Sequence, residues 1–244
     1  MSTLHLIPVP LSVLADANPA LSLTPELLNL TRELRHFVVE NAKSARAFLK
    51  TIGMPVPIAA LSIHELPGRG KMGKSEAKSS DWDALLGPIT DGHAIGLLSE
   101  AGCPAVADPG SDLVHRAHQR NIAVMPHIGP SSLLLALMGS GLGGQRFAFH
   151  GYLPQDEIGR KQALSRLEDE SRRQGITQIV IETPYRNRAF FESLINGLRA
   201  ETQVCVAADL TMPSQLIATK SVQAWKKSGA PNLDKRPAVF LFKH

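Results

Sequence analysis

Short apolar runs alternate along this chain with segments in which leucine recurs at helical spacing. Leu4–Val9, Phe37–Val39, Ile58–Ile63, Ile95–Leu98 and Ile122–Met125 read as strands. Between them, Thr24 and Pro25 form a helix start ahead of the stripe Leu27, Leu28, Leu30 and Leu34. Ala42–Ile52 reads as a helix stopped by Gly53, Asp83–Ile89 as a short helix, and Ser111–Gln119 as a third. Strands alternating with helices predict a mostly parallel sheet with helices on both faces. Residues 133–138 are apolar on nearly every side, which predicts a helix buried between layers. Gly139, Gly141, Gly143 and Gly144 end it.

The second half has a different rhythm. Strands are expected from Phe147 into Gly151, at Thr177–Ile181, Val204–Ala208, Leu216–Thr219 and Pro237–Phe242. Helices are expected from Gly159 to Arg173, along Phe190, Phe191, Leu194 and Leu198, and from Val222 through Trp225. Strands outnumber helices here, so a mixed sheet is expected. The chain thus divides into an N-terminal α/β domain over residues 1–127 and a C-terminal mixed-sheet α/β domain over residues 128–244.

Glycine and proline concentrate just after the strands. Ser99-Glu100-Ala101-Gly102-Cys103-Pro104 and Asp108-Pro109-Gly110 follow one run, and Ile128-Gly129-Pro130-Ser131-Ser132 follows the next. Ligands of parallel α/β sheets bind at the carboxyl ends of strands, and a loop without bulk lets a ligand lie against main-chain groups. The segment Leu11–Leu23 after the first strand holds no glycine, so the dinucleotide fingerprint is absent where it should stand. Gly73-Lys74-Ser75 lacks the glycine spacing of a phosphate-binding loop.

Composition narrows the picture little. Of 244 residues, 43% are apolar and 20% charged, which is ordinary for a folded chain. The net charge of +4 permits an anionic partner without requiring one. Two cysteines, Cys103 and Cys205, are too few for a disulfide framework and fit a reducing compartment. The first residues lack a signal-peptide pattern and no run is long enough to span a membrane, so a cytoplasmic location is expected. The segment 68–80 carries Arg69, Lys71, Lys74 and Lys78. It reads either as a solvated loop or as a basic flap for a polyanion such as RNA.

Chemistry-bearing residues are few. The nine histidines form no metal-ligand spacing; His115 and His118 read as helix-surface residues. His127, just before the Gly129-Pro130 turn, either lines a cleft or plays a structural polar role. Cys103 would need a neighbouring base to act as a nucleophile, and Ser131-Ser132 reads as a helix cap. Glu182 stands at a strand end, either facing a ligand or held by local N–H groups or Arg186. Tyr185, in the same turn, is the other catalytic candidate.

Four stretches, SEAGCPAVADPG, IGPSS, FAFHGYLP and IETPYR, stand in this order over residues 94–187. Together they resemble the tetrapyrrole methylase superfamily, nearest its branch of small-subunit ribosomal RNA ribose 2′-O-methyltransferases. That branch reads SDAGTPAVSDPG, PGPSA, FLFxGFLP and YESPHR. The resemblance implies a two-domain enzyme that binds S-adenosylmethionine in a cleft between the domains and works as a homodimer. It assigns donor binding to Ser99, Glu100, Ala101, Gly102, Cys103 and Pro104, to Gly129, Pro130, Ser131 and Ser132, and to Tyr152, Leu153 and Pro154. Pro8, Glu182, Leu210 and Thr211 complete that set, with no metal. In-line methyl transfer from a sulfonium needs alignment and, for a hydroxyl acceptor, loss of a proton.

The chain also departs from the branch. Ile7-Pro8-Val9-Pro10 stands where the branch has ATPIGNLGD, Glu40-Asn41-Ala42-Lys43 stands for EDTR, and the histidine of YESPHR is Tyr185. The expectation is therefore a methyltransferase whose acceptor is open between an RNA ribose and a small molecule. The alternatives are a non-catalytic relative that binds the donor or a nucleotide as a sensor or scaffold, and an unrelated α/β hydrolase-like or transferase domain.

Overall fold

The computed structural model describes residues 2–11, 22–67 and 79–244. It resolves into two units, Met1–Ser131 and Ser132–His244. The basic residues Arg69, Lys71, Lys74 and Lys78 lie outside the described residues, as does most of the glycine-free segment after the first strand.

The first unit runs β1 (Thr3–Ile7), α1 (Pro25–Glu33), β2 (His36–Val39), α2 (Ala42–Thr51), β3 (Ser62–Glu65), α3 (Ser79–Leu85), α4 (Gly87–Thr90), β4 (Ile95–Leu98), α5 (Ser111–Gln119) and β5 (Ala123–Pro126). Its five strands lie in the order β3-β2-β4-β1-β5 and every pairing is parallel. Alternation along the strands divides the core between two faces. Ile7, Val9, Phe37, Val39 and Leu98 pack with Leu27, Leu28, Ala45 and Leu49 of α1 and α2. Leu4, Val38, Ile95 and Leu97 pack on the other face with Trp82, Leu113 and Ala117 of α3 and α5. Helices thus cover both faces, as the alternating pattern requires. The caps follow chemistry legible in the sequence: Thr24 Oγ1 accepts the Leu27 N–H at 3.3 Å, and Asn41 Oδ1 accepts that of Lys43 at 2.9 Å.

Four expected elements differ here: the first strand runs Thr3–Ile7 rather than Leu4–Val9, and Val9 makes only an isolated bridge to Gly102. Ile58–Ile63 is not one strand: Ile58–Ala60 forms a 3₁₀ turn after Pro57, and pairing begins only at Ser62. Asp83–Ile89 is not one helix, because Pro88 has no N–H to continue α3 and instead sits in the first turn of α4. The run at Ile122 pairs one residue later, as Ala123–Pro126.

The second unit runs α6 (Ser132–Ser140), β6 (Phe147–Tyr152), α7 (Glu157–Gln174), β7 (Thr177–Ile181), α8 (Asn187–Gly197), β8 (Gln203–Ala208), β9 (Leu216–Ser221), α9 (Val222–Ser228) and β10 (Ala238–Lys243). Its sheet has the order β6-β7-β10-β8-β9. β6 and β7 are parallel and the remaining pairs antiparallel, so the sheet is mixed. Leu164 and Leu167 of α7, Phe190, Phe191 and Leu194 of α8, and Trp225 of α9 pack on Val180, Val204, Val206, Phe240 and Phe242. α7 starts at Glu157 rather than Gly159, because Asp156 caps it by accepting the Gly159 N–H at 2.7 Å. α6 packs closely on β9, where a Cβ at Gly139 would meet Ile217 Cδ1 at 2.7 Å. The expectation that this helix is buried all round is corrected: Leu133, Ala136 and Leu137 are buried, but Leu134 and Met138 are 52% and 78% exposed. An all-apolar helix has no polar face to mark which side stays uncovered.

Candidate functional site

β1 and β4 are neighbouring parallel strands, with Ile7 beside Leu98 at their carboxyl ends. The chain leaving β1 leads to α1 on one face of the sheet, and the chain leaving β4 leads to α5 on the other. Diverging connections of this kind open a crevice at the carboxyl edge, where α/β sheets place their ligands.

Three loops are fastened together at that edge. Val9 N–H donates to Gly102 O at 2.9 Å and Gly102 N–H donates back to Val9 O at 3.0 Å. Gly102 has φ +75°, and a Cβ there would lie 3.2 Å from Leu11 Cδ2 and 3.4 Å from Pro130 O. The Cys103 thiol donates to Pro130 O at 3.4 Å, joining the second loop to the third. Gly129 seats against Pro8 so closely that a Cβ would fall 2.2 Å from Pro8 Cβ. Pro8, Ser99–Pro104 and Gly129–Pro130 are thus brought together within the first unit.

The loop after β4 is also shaped by its own polar groups. Ser99 is buried, and its hydroxyl donates to the carbonyls of Ala101 and Gly102 at 3.3 Å each. Glu100 N–H donates to Glu40 Oε2 at 3.1 Å, while Glu100 Oε1 accepts the Ser44 hydroxyl at 3.1 Å. Ala105 and Ala107 adopt φ of 64° and 65°, conformations that cost an L-residue about 1–2 kcal/mol each. Strain held at a loop of this kind marks functional sites. Burial, then the charge of Asp108, pushes the Cys103 thiol up, which keeps it protonated and argues against a nucleophile.

Within the second unit, β6, β7 and β8 run in the same direction and end on one level: Tyr152 pairs with Ile181, Ile181 with Val239, and Val239 with Ala207. That edge carries Tyr152–Pro154, Glu182–Arg186 and Asp209–Thr211 side by side. Gly151, at φ +65°, accompanies the register shift between Phe149 and Tyr152. Asp209 and Thr211 have φ of 49° and 69°. Asp209 Oδ2 accepts from Arg236 Nε at 2.7 Å and from the Ser214 hydroxyl at 2.8 Å, which holds this strained turn. Ser132 opens α6 in this unit.

The two catalytic candidates are placed very differently. Glu182 is 7% exposed, and its Oε1 accepts Arg186 Nη2 and Thr183 N–H at 2.6 Å each. Burial pushes its carboxyl up, but Arg186 and the Thr183 N–H outweigh it and hold it below the usual glutamate range. A carboxylate so engaged fixes the turn and is a weak proton acceptor. Tyr185 is 83% exposed. His115 and His118 are exposed on α5. Among the described residues no group of three His, Cys, Asp or Glu side chains is placed to hold a metal ion.

No family model matches the chain. A ribosomal RNA small subunit methyltransferase I from Synechocystis sp. is 30% identical over 211 residues, covering 86% of this chain and 68% of that protein. This chain belongs to that family, within the tetrapyrrole methylase superfamily. A second member, from Xylella fastidiosa, is 27% identical over 239 residues, covering 98% of this chain and 80% of its own. The solved methyltransferase CobJ shares the fold, with a TM-score of 0.63 at 15% identity over 100% of this chain and 95% of its own. The protein is an S-adenosylmethionine-dependent methyltransferase.

The edge of the first unit fits that donor. Gly102 forms a cradle that a Cβ would narrow, and the left-handed backbone at Ala105 and Ala107 turns the loop without bulky side chains. S-adenosylmethionine supplies the methyl group as an electrophile on a positively charged sulfur. Pro8, Ser99–Pro104 and Gly129–Pro130 are the residues of this unit that would hold it.

Sequence reasoning missed the strain at Ala105, Ala107 and Asp209, since nothing in an alanine or aspartate announces a left-handed conformation. It also missed the partner of His127, which is His5, at the far end of the first unit's sequence.

Proposed function

We propose that this methyltransferase transfers its methyl group to a ribose hydroxyl of small-subunit ribosomal RNA. The observation that carries the reading is the 30% identity to a protein named for that RNA, spanning both units of the chain. The bound donor belongs to Pro8, Ser99–Pro104 and Gly129–Ser132. The basic residues Arg69, Lys71, Lys74 and Lys78 contribute phosphate contacts. Their neutralisation should flatten the salt dependence of RNA binding, and an unchanged slope removes them from the interface.

We infer further that the protein works in the cytoplasm, where its RNA is assembled, and as a homodimer. Leu134 and Met138 leave an apolar strip on α6 that a second copy would cover. Light scattering at the monomer mass would overturn the dimer.

The acceptor is tested by labelling. RNA and small-metabolite pools from cells lacking the gene are incubated with the enzyme and tritiated S-adenosylmethionine. The reading expects label in small-subunit ribosomal RNA, recovered after digestion as a 2′-O-methylated nucleoside. Label confined to the metabolite pool, or to a base, contradicts it.

A further inference from the structure

Two imidazoles meet near the carboxyl edge of the first sheet. His5 lies within β1 and His127 directly follows β5, and the register that sets Leu6 beside Pro126 brings them together. His5 Nδ1 and His127 Nε2 are 3.0 Å apart, with ring centroids 5.2 Å apart and tilted by 30°. At that distance one nitrogen carries the proton and the other accepts it. His127 is further fixed by its own N–H, which donates to Leu6 O at 3.1 Å. It lines a cavity of about 560 Å³ together with Thr24, Glu26, Leu27, Leu30, Pro126 and Ile128. The residues that follow it, Gly129 and Pro130, are those fastened to Pro8 and Cys103.

We propose that His127 is the general base that takes the proton from the acceptor hydroxyl, with His5 as its positioning residue. The inference rests on the hydroxyl acceptor proposed above. With Nε2–H of His127 donating to His5 Nδ1, the Nδ1 lone pair of His127 is left to accept a proton. The acceptor oxygen bonds to the methyl carbon as the carbon–sulfur bond breaks, its electron pair going to sulfur. The hydroxyl proton passes to His127 Nδ1, and His5 shares the resulting charge through the bond between the rings. Burial and the neighbouring ring keep His5 below the ordinary histidine range, and burial does the same for His127, so both are neutral at pH 7. Glu26 of α1 is the other titratable side chain in the described cavity lining.

The test is single-turnover methylation of small ribosomal subunits from cells lacking the gene, across pH, with tritiated donor. The wild type should lose rate as pH falls through the imidazole range. His127→Gln should lower the rate by about 10²-fold or more, the usual contribution of a positioned base. It should also flatten the acid limb and leave donor affinity unchanged. His5→Asn, which keeps a side-chain acceptor for Nε2–H, should shift that limb and retain more activity than His5→Leu. A His127→Gln enzyme with the wild-type rate and acid limb overturns the role. If that variant does not fold, equal rates and profiles for His5→Asn, His5→Leu and the wild type overturn it. A wild type that leaves the subunits unlabelled overturns the hydroxyl-acceptor reading itself, and the His127 role falls with it.

Discussion

Val9 and Gly102 exchange both of their backbone hydrogen bonds, at 2.9 and 3.0 Å, and so tie the end of β1 to the loop after β4. The exchange requires Gly102 to hold φ +75° with its open side toward Leu11 and Pro130. Gly102→Ala should therefore strain the loop by about 1–2 kcal/mol or force it to move. The expected result is donor affinity reduced about ten-fold or more in equilibrium dialysis, with the second unit's folding untouched. Unchanged affinity would detach this loop from the donor.

The contact between Gly129 and Pro8 makes a paired prediction. A methyl at Gly129 falls 2.2 Å from Pro8 Cβ and 2.6 Å from Cγ, so Gly129→Ala should destabilise the first unit by about 1–3 kcal/mol through overpacking. Removing both of those atoms with Pro8→Gly in the same chain should recover part of that loss. A double-mutant cycle by urea denaturation that shows strict additivity would refute the contact.

In the second unit, Arg186 neutralises a carboxylate that is 4% exposed at its side chain. Arg186→Met should leave Glu182 charged and unpaired. The cost is about 2 kcal/mol, below that of a fully buried pair because Arg186 itself is 42% exposed. Adding Glu182→Gln should restore most of the stability. If the single variant unfolds at the wild-type urea midpoint, the pair contributes nothing.

Acid should weaken the first unit before it weakens the second. His36 is held below the ordinary value of 6.5 by burial and then by His93 and His64, with Asp91 partly opposing. His5 and His127 are lowered as well. The unfolded chain binds protons at these sites more readily than the folded one. Stability present above pH 6.5 is therefore lost as pH falls through 6.5 toward the lowered values. Urea midpoints should drop between pH 7.5 and pH 5.5, and His36→Gln should lessen the drop. A flat profile would contradict the assignment.

Much of this architecture was legible before the fold was in hand. Leu27, Leu28 and Leu34, members of the stripe read at helical spacing, pack against one face of the first sheet. The SEAGCPAVADPG and IGPSS loops do come together at one edge, because small residues allow the approaches seen at Gly102 and Gly129. Where reading by pattern failed, a longer-range force decided. Pro88 broke a run whose apolar spacing was otherwise continuous, and the residues after Pro57 turned as a 3₁₀ segment before pairing began. Leu134 and Met138 stayed exposed because apolar spacing cannot say which neighbour is missing. Glu182 is taken by Arg186, one of the two readings its position allowed, and only the hydrogen bonds distinguish them. The His5–His127 pair joins residues on two neighbouring strands that the chain visits far apart, so no local signal could reveal it.

The most direct test of the account is calorimetric titration of the protein with S-adenosylmethionine. It should bind at micromolar concentration, with one donor per chain and a negative heat-capacity change from burial of the donor's apolar surface. No measurable binding at millimolar donor would contradict the assignment of the Pro8, Ser99–Pro104 and Gly129–Pro130 edge.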